Sequence, residues 1–320
     1  MGEVMAGTTL PAPSVLVVGA GAIGAFYGAV LARQGARVSV VCRSDFATVS
    51  RSGFSIRSAT LGDQAFRPER VLRDAADCGP SPDYLLLTVK VLEGVDRAAL
   101  IRPAVGPNTL IVLIQNGIDI ESEIASAFPD NEVASGLAFV GVRRVAPGEI
   151  VHHAYGSLVM GNFPSGISPA VQQLAALFEA GGIGCKLTEN VLTARWQKAV
   201  WNAVFNPISI LGGVLDTATI LATSAGEDFV RQAMAEVCAV AAALGHPLPA
   251  DTIERNLAGT RAMGAYKTSM ALDYENGRAM EVEAILGNAV RAGRRAGVAM
   301  PALEALYALT KMVEHKIRLH

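Results

Sequence analysis

The sequence predicts an α/β fold in two parts, an N-terminal domain with a parallel, doubly wound sheet and an all-α C-terminal domain. Two observations carry this prediction. From residue 14 to about residue 187, short β-rich runs alternate with helical stretches, a pattern typical of parallel strands joined by crossover helices. Beyond residue 187 only helical patterns follow. We therefore expect a loose leader over residues 1–13, the α/β domain over 14–187, the helical domain over 188–320, and a ligand cleft between the domains.

The individual elements follow from hydrophobic periodicity. The continuous apolar run at residues 15–18 predicts a strand buried on both faces, and residues 22–34 have helical spacing and end at Gly35. Further strands are predicted at 37–41, 84–89, 109–114 and 133–138, with a small antiparallel addition over 148–160. Further helices are predicted at 191–210, 227–244, 252–263, 280–296 and 301–316.

Composition limits the classes of function. With 320 residues, 51% of them hydrophobic and 18% charged, the chain has enough apolar material for two cores. Its net charge of -2 argues against nucleic acid or an anionic membrane surface as a partner, because both require a basic patch. The apolar stretches are too short to span a bilayer and the N-terminus lacks a signal-peptide pattern. We therefore expect no membrane association and a cytoplasmic location.

No metal site is expected. The four cysteines are scattered without a CxxC spacing, which favours free thiols. His152 and His153 are adjacent, but neighbouring residues of a strand point to opposite faces and no carboxylate cluster accompanies them.

A glycine-rich loop, Gly19-Ala20-Gly21-Ala22-Ile23-Gly24, directly follows the first predicted strand and opens the first predicted helix. In this context Gly19 allows a tight turn, Gly21 lets the backbone approach a pyrophosphate, and Gly24 allows the helix to pack closely on the strand. The helix N-terminus then favours the anionic pyrophosphate. The loop predicts a Rossmann-type domain that binds a nicotinamide dinucleotide, and a purely structural glycine turn is the alternative.

The end of the second predicted strand bears on the choice of cofactor. An acidic residue there would hold the ribose 2′-hydroxyl and repel a 2′-phosphate. The sequence has Arg43 and Ser44 instead, and the guanidinium fork of arginine suits phosphate oxygens, so NADP(H) is favoured. Two alternatives stay open: a change of register would place Asp45 at the ribose, and Arg43 could be an ordinary surface arginine.

The segment from Arg195 to Pro207 carries a polar stripe on an apolar helix. Lys198, Asn202 and Asn206 are spaced four apart, so they share one face, and the residues between them are Ala, Val, Trp or Phe. A buried polar row must have partners or face a cleft. Burial would lower the pKa of Lys198 and fit it for acid–base catalysis, whereas a solvated surface stripe is the alternative.

Together these features resemble the ketopantoate reductase (2-dehydropantoate 2-reductase) family over nearly the whole chain after the leader. Besides the glycine loop and the Lys198 helix, the resemblance rests on these motifs: Thr88-Val89-Lys90, Gln115-Asn116-Gly117, Asn206-Pro207, Lys267-Thr268-Ser269-Met270, Asp273, Gly277-Arg278, Glu281, Gly287 and Gly297-Val298-x-x-Pro301.

The resemblance implies reduction of ketopantoate to (R)-pantoate by NADPH, on the route to pantothenate and coenzyme A. It implies that Lys198 protonates the carbonyl oxygen, that Glu281 holds the ammonium or a substrate hydroxyl, and that Asn116 contacts both cofactor and reaction centre. It further implies a set of binding residues: Lys90 and Glu281 for the cofactor, and Asn202, Asn206 and Ser269 for the substrate. The alternatives are a solvated Lys90, a plain Asn-Gly turn at 116–117, and surface roles for Glu281 and Ser269.

Two positions depart from the family pattern and weaken the assignment of the substrate. Tyr266 stands where some pantoate-forming members have a polar amide, and Glu93 replaces a neutral residue near the expected phosphate site. Arg143 and Arg144 could supply charge at the cleft rim or lie in a solvated turn. A paralogue that reduces another branched or hydroxylated 2-oxo acid is therefore the main rival, and a non-catalytic NADP(H)-binding sensor is the rival from another class. Helical domains of this kind often form homodimers, although no interface can be identified from the sequence.

Overall fold

A computed structural model describes residues 12–318. The leader expected over residues 1–13 lies outside the described residues except for its last two positions. Within the described part, no helix combines the length and the apolar character needed to cross a membrane.

The described residues form one ten-stranded sheet followed by a helical domain, which confirms the predicted fold class. The strands are β1 Ser14–Val18, β2 Arg37–Val41, β3 Phe54–Ser58, β4 Gln64–Phe66, β5 Val71–Leu72, β6 Tyr84–Leu87, β7 Leu110–Leu113, β8 Val133–Ala146, β9 Glu149–Asn162 and β10 Cys185–Leu187. The α-helices are α1 Ala22–Arg33, α2 Phe46–Ser52, α3 Arg97–Ile101, α4 Ser122–Ala127, α5 Pro169–Ala180, α6 Val191–Leu211, α7 Thr217–Ile220, α8 Ser224–Ala243, α9 Thr252–Met263, α10 Ser269–Glu275, α11 Asn288–Arg295 and α12 Pro301–Arg318.

Six strands form the parallel core of the sheet in the order β5-β2-β1-β6-β7-β8. Every residue of β6 and β7 is buried, as expected for strands covered on both faces. The chain winds outward from β1 to β2 on one side and continues from β6 on the other. The crevice at the carboxyl ends of β1 and β6 is therefore the switch point at which such sheets bind ligands.

The antiparallel part is much larger than the predicted addition over 148–160. β8 and β9 form a hairpin of two 14-residue strands, and β3 and β10 extend the sheet by pairing with β9. Three register shifts interrupt the pairing of β8 with β9. These bulges and the charged pair Arg143-Arg144 break the alternation of apolar and polar residues, which hides the outer part of the hairpin from a periodicity analysis.

The helical half is built around α6. This 21-residue helix buries twelve of its residues, including Val200, Val204 and Phe205, in a core shared with α8, α11 and α12. The single helix predicted over 280–296 is instead a π-helical turn at Glu283–Gly287 followed by α11. An i→i+5 turn has no distinct sequence pattern, so the prediction of one continuous helix missed it.

Candidate active site

Four loops meet at the carboxyl edge of the parallel core. The glycine loop follows β1, Arg43 follows β2, Lys90 follows β6 and Asn116 follows β7, and these four strands are neighbours in the sheet. The structure therefore brings together the predicted cofactor-binding residues from four separate parts of the sequence.

The three glycines of the loop are required for different reasons. Gly19 has a φ of 100°, and a Cβ there would lie 2.6 Å from Val89 Cγ1. A Cβ on Gly24 would lie 2.6 Å from Thr88 Oγ1 and 2.7 Å from the carbonyl oxygen of Gly19. A Cβ on Gly21, by contrast, would have no neighbour closer than 4.0 Å. Packing within the protein thus explains Gly19 and Gly24, whereas Gly21 leaves open space at the start of α1.

Helix α1 begins at that open space without a side-chain cap. Its N-cap is Gly21, which offers no side chain to accept the first-turn N–H groups of Ala22, Ile23 and Gly24. The exposed N–H groups and the helix dipole favour an anion at this position. The loop is therefore suited to a pyrophosphate.

The structure separates the two candidates at the end of β2. Asp45 is 3% exposed, and its carboxylate accepts hydrogen bonds from Arg144 Nη1 at 2.5 Å, Ser44 Oγ at 2.8 Å and the Gly148 N–H at 3.1 Å. Asp45 thus ties the β8–β9 hairpin to β2. The Arg43 side chain is exposed and forms no hydrogen bond or ion pair within residues 12–318, so its guanidinium is available to a ligand.

A second arginine lies beside Arg43 and was not identified from the sequence. Arg73 follows β5, which pairs with β2 through Val41 and Leu72, so both arginines leave the same edge of the sheet. The guanidinium of Arg73 stacks on the ring of Phe46 at 4.0 Å. β5 is only two residues long, and so short a strand gives no periodicity signal that could have placed Arg73 here.

Lys198 lies where the two domains meet. Its Nζ donates to Asn116 Oδ1 and to the carbonyl oxygen of Ala138, both at 2.7 Å, and lies 5.3 Å from the centre of the Phe139 ring. Burial, with a smaller contribution from the positive charge of Arg195, lowers the pKa of Lys198 to about 7. The lysine can therefore release or accept a proton near neutral pH. A narrow pocket beside it is lined by Gly117, Ile118, Leu137, Arg195, Ala199, Asn202 and Ile285.

Arg195, one turn before Lys198, holds the loop that carries Asn116. It is 3% exposed, and its Nη1 donates to the carbonyl oxygens of Gln115 and Gly117, each at 3.0 Å. Its charge is balanced by the fully buried Glu121. Because Arg195 donates to the carbonyls of the residues on either side of Asn116, it positions the Asn116 side chain, whose Oδ1 accepts the hydrogen bond from Lys198. The sequence showed Arg195 on the helix but gave no sign of this contact.

Glu281 faces the same cleft. Its Oε1 accepts the Val91 N–H at 2.9 Å, and burial raises the pKa of its carboxyl against the opposing effects of that N–H, Lys90 and Lys198. Glu283, two residues later, points away and binds Tyr307, Arg291 and Lys311. The two glutamates of this segment therefore have different environments, and only Glu281 lies at the cleft.

Lys90 bridges the domains. Its Nζ pairs with Asp273 at 2.6 Å and donates to the carbonyl oxygen of Ala279 at 2.9 Å. Glu93, the departure noted nearby, pairs with Lys311 at 3.6 Å, which accounts for its charge. The Lys90 ammonium is about one-third exposed, so it borders the cleft while holding the two domains together.

The remaining residues of the polar stripe differ in environment. Asn202 lines the pocket beside Lys198. Asn206 is 1% exposed; its Oδ1 accepts from the Met270 N–H at 3.3 Å and Ser269 Oγ at 3.5 Å, and its Nδ2 donates to the Asn202 carbonyl at 3.0 Å. Asn206 therefore anchors the start of α10, and the exposed Ser269 stands at the cleft rim.

The paired histidines have separate partners. His152 is buried and binds Ser58 through Nδ1 at 2.8 Å, while Arg143 Nε lies 3.0 Å from His153 Nε2. Among residues 12–318, no three His, Cys, Asp or Glu side chains are grouped so as to hold a metal ion.

Comparison with known proteins decides the family. The model for the family Ketopantoate reductase PanE/ApbA matches residues 15–165, and the model for its C-terminal domain matches residues 190–314. The chain belongs to the ketopantoate reductase family. The predicted resemblance is confirmed, and with it the prediction of an oxidoreductase.

Individual members of the ketopantoate reductase family match along almost their whole length. The crystal structure of 2-dehydropantoate 2-reductase from Methylococcus capsulatus is 60% identical, with a TM-score of 0.90 over 95% of this chain and 97% of that chain. The 2-dehydropantoate 2-reductase of Nostoc sp. is 32% identical over 94% of this chain and 95% of the relative. The ternary structure of D-mandelate dehydrogenase with NADH and anilino(oxo)acetate is 22% identical, with a TM-score of 0.87 over 95% of this chain and 99% of that chain. This last likeness shows a shared fold.

Proposed function

We propose that this protein reduces the 2-oxo group of ketopantoate to (R)-pantoate, with NADPH as the cofactor and Lys198 as the proton donor. The observation that carries the proposal is the partly buried Lys198, whose pKa is lowered to about 7 and whose Nζ is held by Asn116 at the junction of the domains. The relatives named 2-dehydropantoate 2-reductase support ketopantoate as the substrate.

The residues at the sheet edge fit a nicotinamide dinucleotide. Gly21 and the uncapped N-terminus of α1 offer space and N–H groups to a pyrophosphate. Arg43, with no partner among the described residues, and Arg73 beside it offer cations to a 2′-phosphate. Because Asp45 is committed to Arg144 and Gly148, its carboxylate does not compete at this position. These contacts support NADP(H), and the NADH bound to D-mandelate dehydrogenase supports the nicotinamide class.

The proposed chemistry divides between cofactor and protein. The cofactor supplies the hydride when it is bound. The developing negative charge on the carbonyl oxygen is stabilised by the Lys198 ammonium, which then transfers its proton to that oxygen. Asn116 keeps Nζ in place through its Oδ1.

The binding residues complete this assignment. Glu281 faces Lys198 across the cleft and favours its protonated form. Asn202 and Ser269 bind the substrate carboxylate and hydroxyl, Asn206 orients Ser269 from beneath, and Lys90 borders the cofactor.

Turnover of ketopantoate tests the proposal. Purified protein is expected to oxidise NADPH when ketopantoate is added and to form (R)-pantoate. If ketopantoate gives no turnover while another 2-oxo acid does, the paralogue interpretation replaces the proposal. If no 2-oxo acid is reduced and NADPH still binds, the protein is a sensor. The homodimer and the cytoplasmic location stay predictions.

A further inference from the structure

We propose that four aromatic side chains form one wall of the substrate site and select 2-oxo acids by the apolar substituents on C3 rather than by a hydroxyl group. The wall consists of Phe139 and Tyr155 from the β8–β9 hairpin and Trp201 and Tyr266 from the helical domain. This inference rests on the proposed function, because it names the substrate class that the same site accepts.

Phe139 places the wall beside the reacting group. It follows Ala138, whose carbonyl oxygen accepts a hydrogen bond from Lys198 Nζ, and its ring centre lies 5.3 Å from that nitrogen. Its side chain is 43% exposed, although a large apolar ring gains free energy from burial. A carbonyl compound bound to Lys198 would therefore bring its neighbouring substituents against the face of Phe139.

Trp201 and Tyr266 continue the wall along α6. Trp201 comes three residues after Lys198, so it lies on the same side of the helix. Its ring stacks on Phe205 at 5.0 Å and contacts Tyr266 at 6.3 Å. Its Nε1 donates to Thr260 Oγ1 at 3.0 Å. The indole N–H is thus already used, and only apolar ring surface is left for a ligand.

Tyr266 is fixed in this position by its backbone. Its carbonyl oxygen accepts the Thr217 N–H at 2.9 Å, and its N–H donates to Thr217 Oγ1 at 3.1 Å. It stands three residues before Ser269 on the segment that leads into α10. A tyrosine here presents its ring towards the cleft where an amide would present hydrogen-bonding groups.

Tyr155 closes the wall from the other domain. It is 56% exposed, has a φ of 64°, and lies at a register shift of the hairpin. Burial, with a smaller effect of Tyr155, raises the pKa of the Tyr266 phenol. The Tyr266 hydroxyl therefore stays uncharged, and Tyr155 lies close enough to influence it.

Most polar groups near the aromatic wall already form hydrogen bonds within the protein. Thr217 and Thr260 bind Tyr266 and Trp201, and the Asn206 amide forms hydrogen bonds to the start of α10 and to the Asn202 carbonyl. Asn202 and Ser269 are left, and a 2-oxo acid needs polar partners for its carboxylate. A substrate hydroxyl therefore has to share Asn202 and Ser269 with the carboxylate, whereas the methyl groups on C3 of ketopantoate have an aromatic surface to themselves.

The magnitude of discrimination separates the two kinds of pocket. A site built to bind a hydroxyl rejects the analogue without it by roughly 10⁴-fold or more. An apolar pocket distinguishes substrates that differ by one small group by only about 10- to 200-fold. With its aromatic wall, the proposed site belongs to the apolar pockets, which discriminate weakly.

The test compares ketopantoate with 3,3-dimethyl-2-oxobutanoate, which has the same methyl groups and lacks the hydroxyl. We expect wild-type kcat/KM values for the two acids to lie within about 100-fold of each other. Tyr266→Asn is expected to shift that ratio at least about tenfold in favour of ketopantoate. Tyr266→Phe, the matched control, keeps the ring and is expected to leave the ratio within about threefold.

The outcomes are distinct. A wild-type kcat/KM ratio above about 10⁴ in favour of ketopantoate would overturn the proposed role of the aromatic wall and leave the proposed function intact. A fall of at least about tenfold in the relative kcat/KM for ketopantoate in Tyr266→Phe would show that the phenol binds the substrate hydroxyl, which also overturns the proposal. If neither acid is reduced although NADPH binds, the proposed function fails, and the wall with it. NADPH affinity, measured for each variant, verifies that it is folded.

Discussion

At the scale of single residues, the pKa of Lys198 is set by opposing contributions. Burial disfavours its ammonium, Arg195 adds repulsion, and Glu281 partly offsets both, which brings the pKa of Lys198 to about 7. A lysine at its ordinary pKa would be a weaker acid, and the driving force for transferring its proton to a developing alkoxide would be smaller. The lowered pKa keeps a useful fraction of the ammonium at neutral pH and makes proton transfer easier.

The pH dependence of the reaction follows from this pKa. The proposed reduction requires the protonated lysine, so kcat/KM is expected to be level at pH values well below 7 and to fall as the pH rises through about 7. Initial rates of NADPH oxidation measured across this range test the expectation. A profile that stays level to pH 9 would show that another group supplies the proton.

Arg195 provides a second test of the same site. Arg195→Met combined with Glu121→Gln removes both members of the buried ion pair, which avoids leaving one charge uncompensated. Because Arg195 lowers the pKa of Lys198, the falling limb of the pH profile is expected to move to higher pH in this double variant.

A second variant, Arg195→Lys, keeps the positive charge and removes the guanidinium that donates to the carbonyl oxygens of Gln115 and Gly117. We expect Arg195→Lys to lower kcat and to leave the falling limb of the pH profile almost unchanged. A shift of that limb equal to the shift in the double variant would show that the charge of Arg195 and its hydrogen bonds do not have separate effects.

The proposed preference for NADPH over NADH is assigned to Arg43. Arg43→Ala is expected to lower the preference for NADPH over NADH by about ten- to a hundredfold, the effect of losing one charged hydrogen-bonding contact. Arg37→Ala is the matched control, since Arg37 lies at the opposite end of β2 and pairs with Glu69. Ratios of kcat/KM for the two cofactors give the answer. Equal preferences in Arg43→Ala and wild type would remove Arg43 from the phosphate site.

At the scale of elements, the glycine loop separates residues needed by the fold from residues needed by a ligand. Gly24 lies against Thr88 and Gly19, whereas Gly21 has open space before it. Sequence alone assigned both to the same motif. The distinction comes from the contacts of the folded loop.

Two alanine substitutions test this distinction. Gly24→Ala is expected to lower the free energy of unfolding by about 1–3 kcal/mol, because the methyl group meets backbone as well as side chain. Gly21→Ala should change it by less than about 1 kcal/mol yet weaken NADPH binding at least about tenfold, because its methyl occupies the approach to the pyrophosphate. Denaturant unfolding and cofactor titration measure the two effects. Tight NADPH binding by Gly21→Ala would place the pyrophosphate elsewhere.

Most of the elements near the site could be predicted from the sequence because they follow simple periods. β2 and α9 have their predicted bounds, and α6 ends one residue later than predicted. The hairpin β8–β9 was underestimated because its bulges and charged residues break the alternation of a strand. Spacing also placed Lys198, Asn202 and Asn206 on one face, but it could not show that Asn206 is consumed by α10. Arg73 and Phe139 were missed because their importance arises from contacts between distant parts of the chain.

At the scale of the whole molecule, the candidate site exists only where the two halves of the chain meet. Many contacts join the loops of the sheet to the helical domain, among them Lys90 with Asp273, the Val91 N–H with Glu281, Arg195 with the Gln115 and Gly117 carbonyls, and Asn288 Nδ2 with the Ile118 carbonyl at 2.6 Å. In the proposed reaction, the sheet edge provides the cofactor loop and α6 provides the proton donor. The contacts between the sheet loops and the helical domain set the distance between the glycine loop and Lys198.

The most direct test of this account is the loss of Lys198 with its surroundings kept. For Lys198→Ala, kcat for NADPH-dependent reduction of ketopantoate is expected to fall by about 10³-fold or more, while the Kd for NADPH stays within about threefold of wild type, since the sheet edge is untouched. Lys267→Ala, which removes an exposed lysine paired with Glu275, is expected to retain wild-type activity. A kcat for Lys198→Ala within about tenfold of wild type would contradict the assignment of Lys198 as the proton donor.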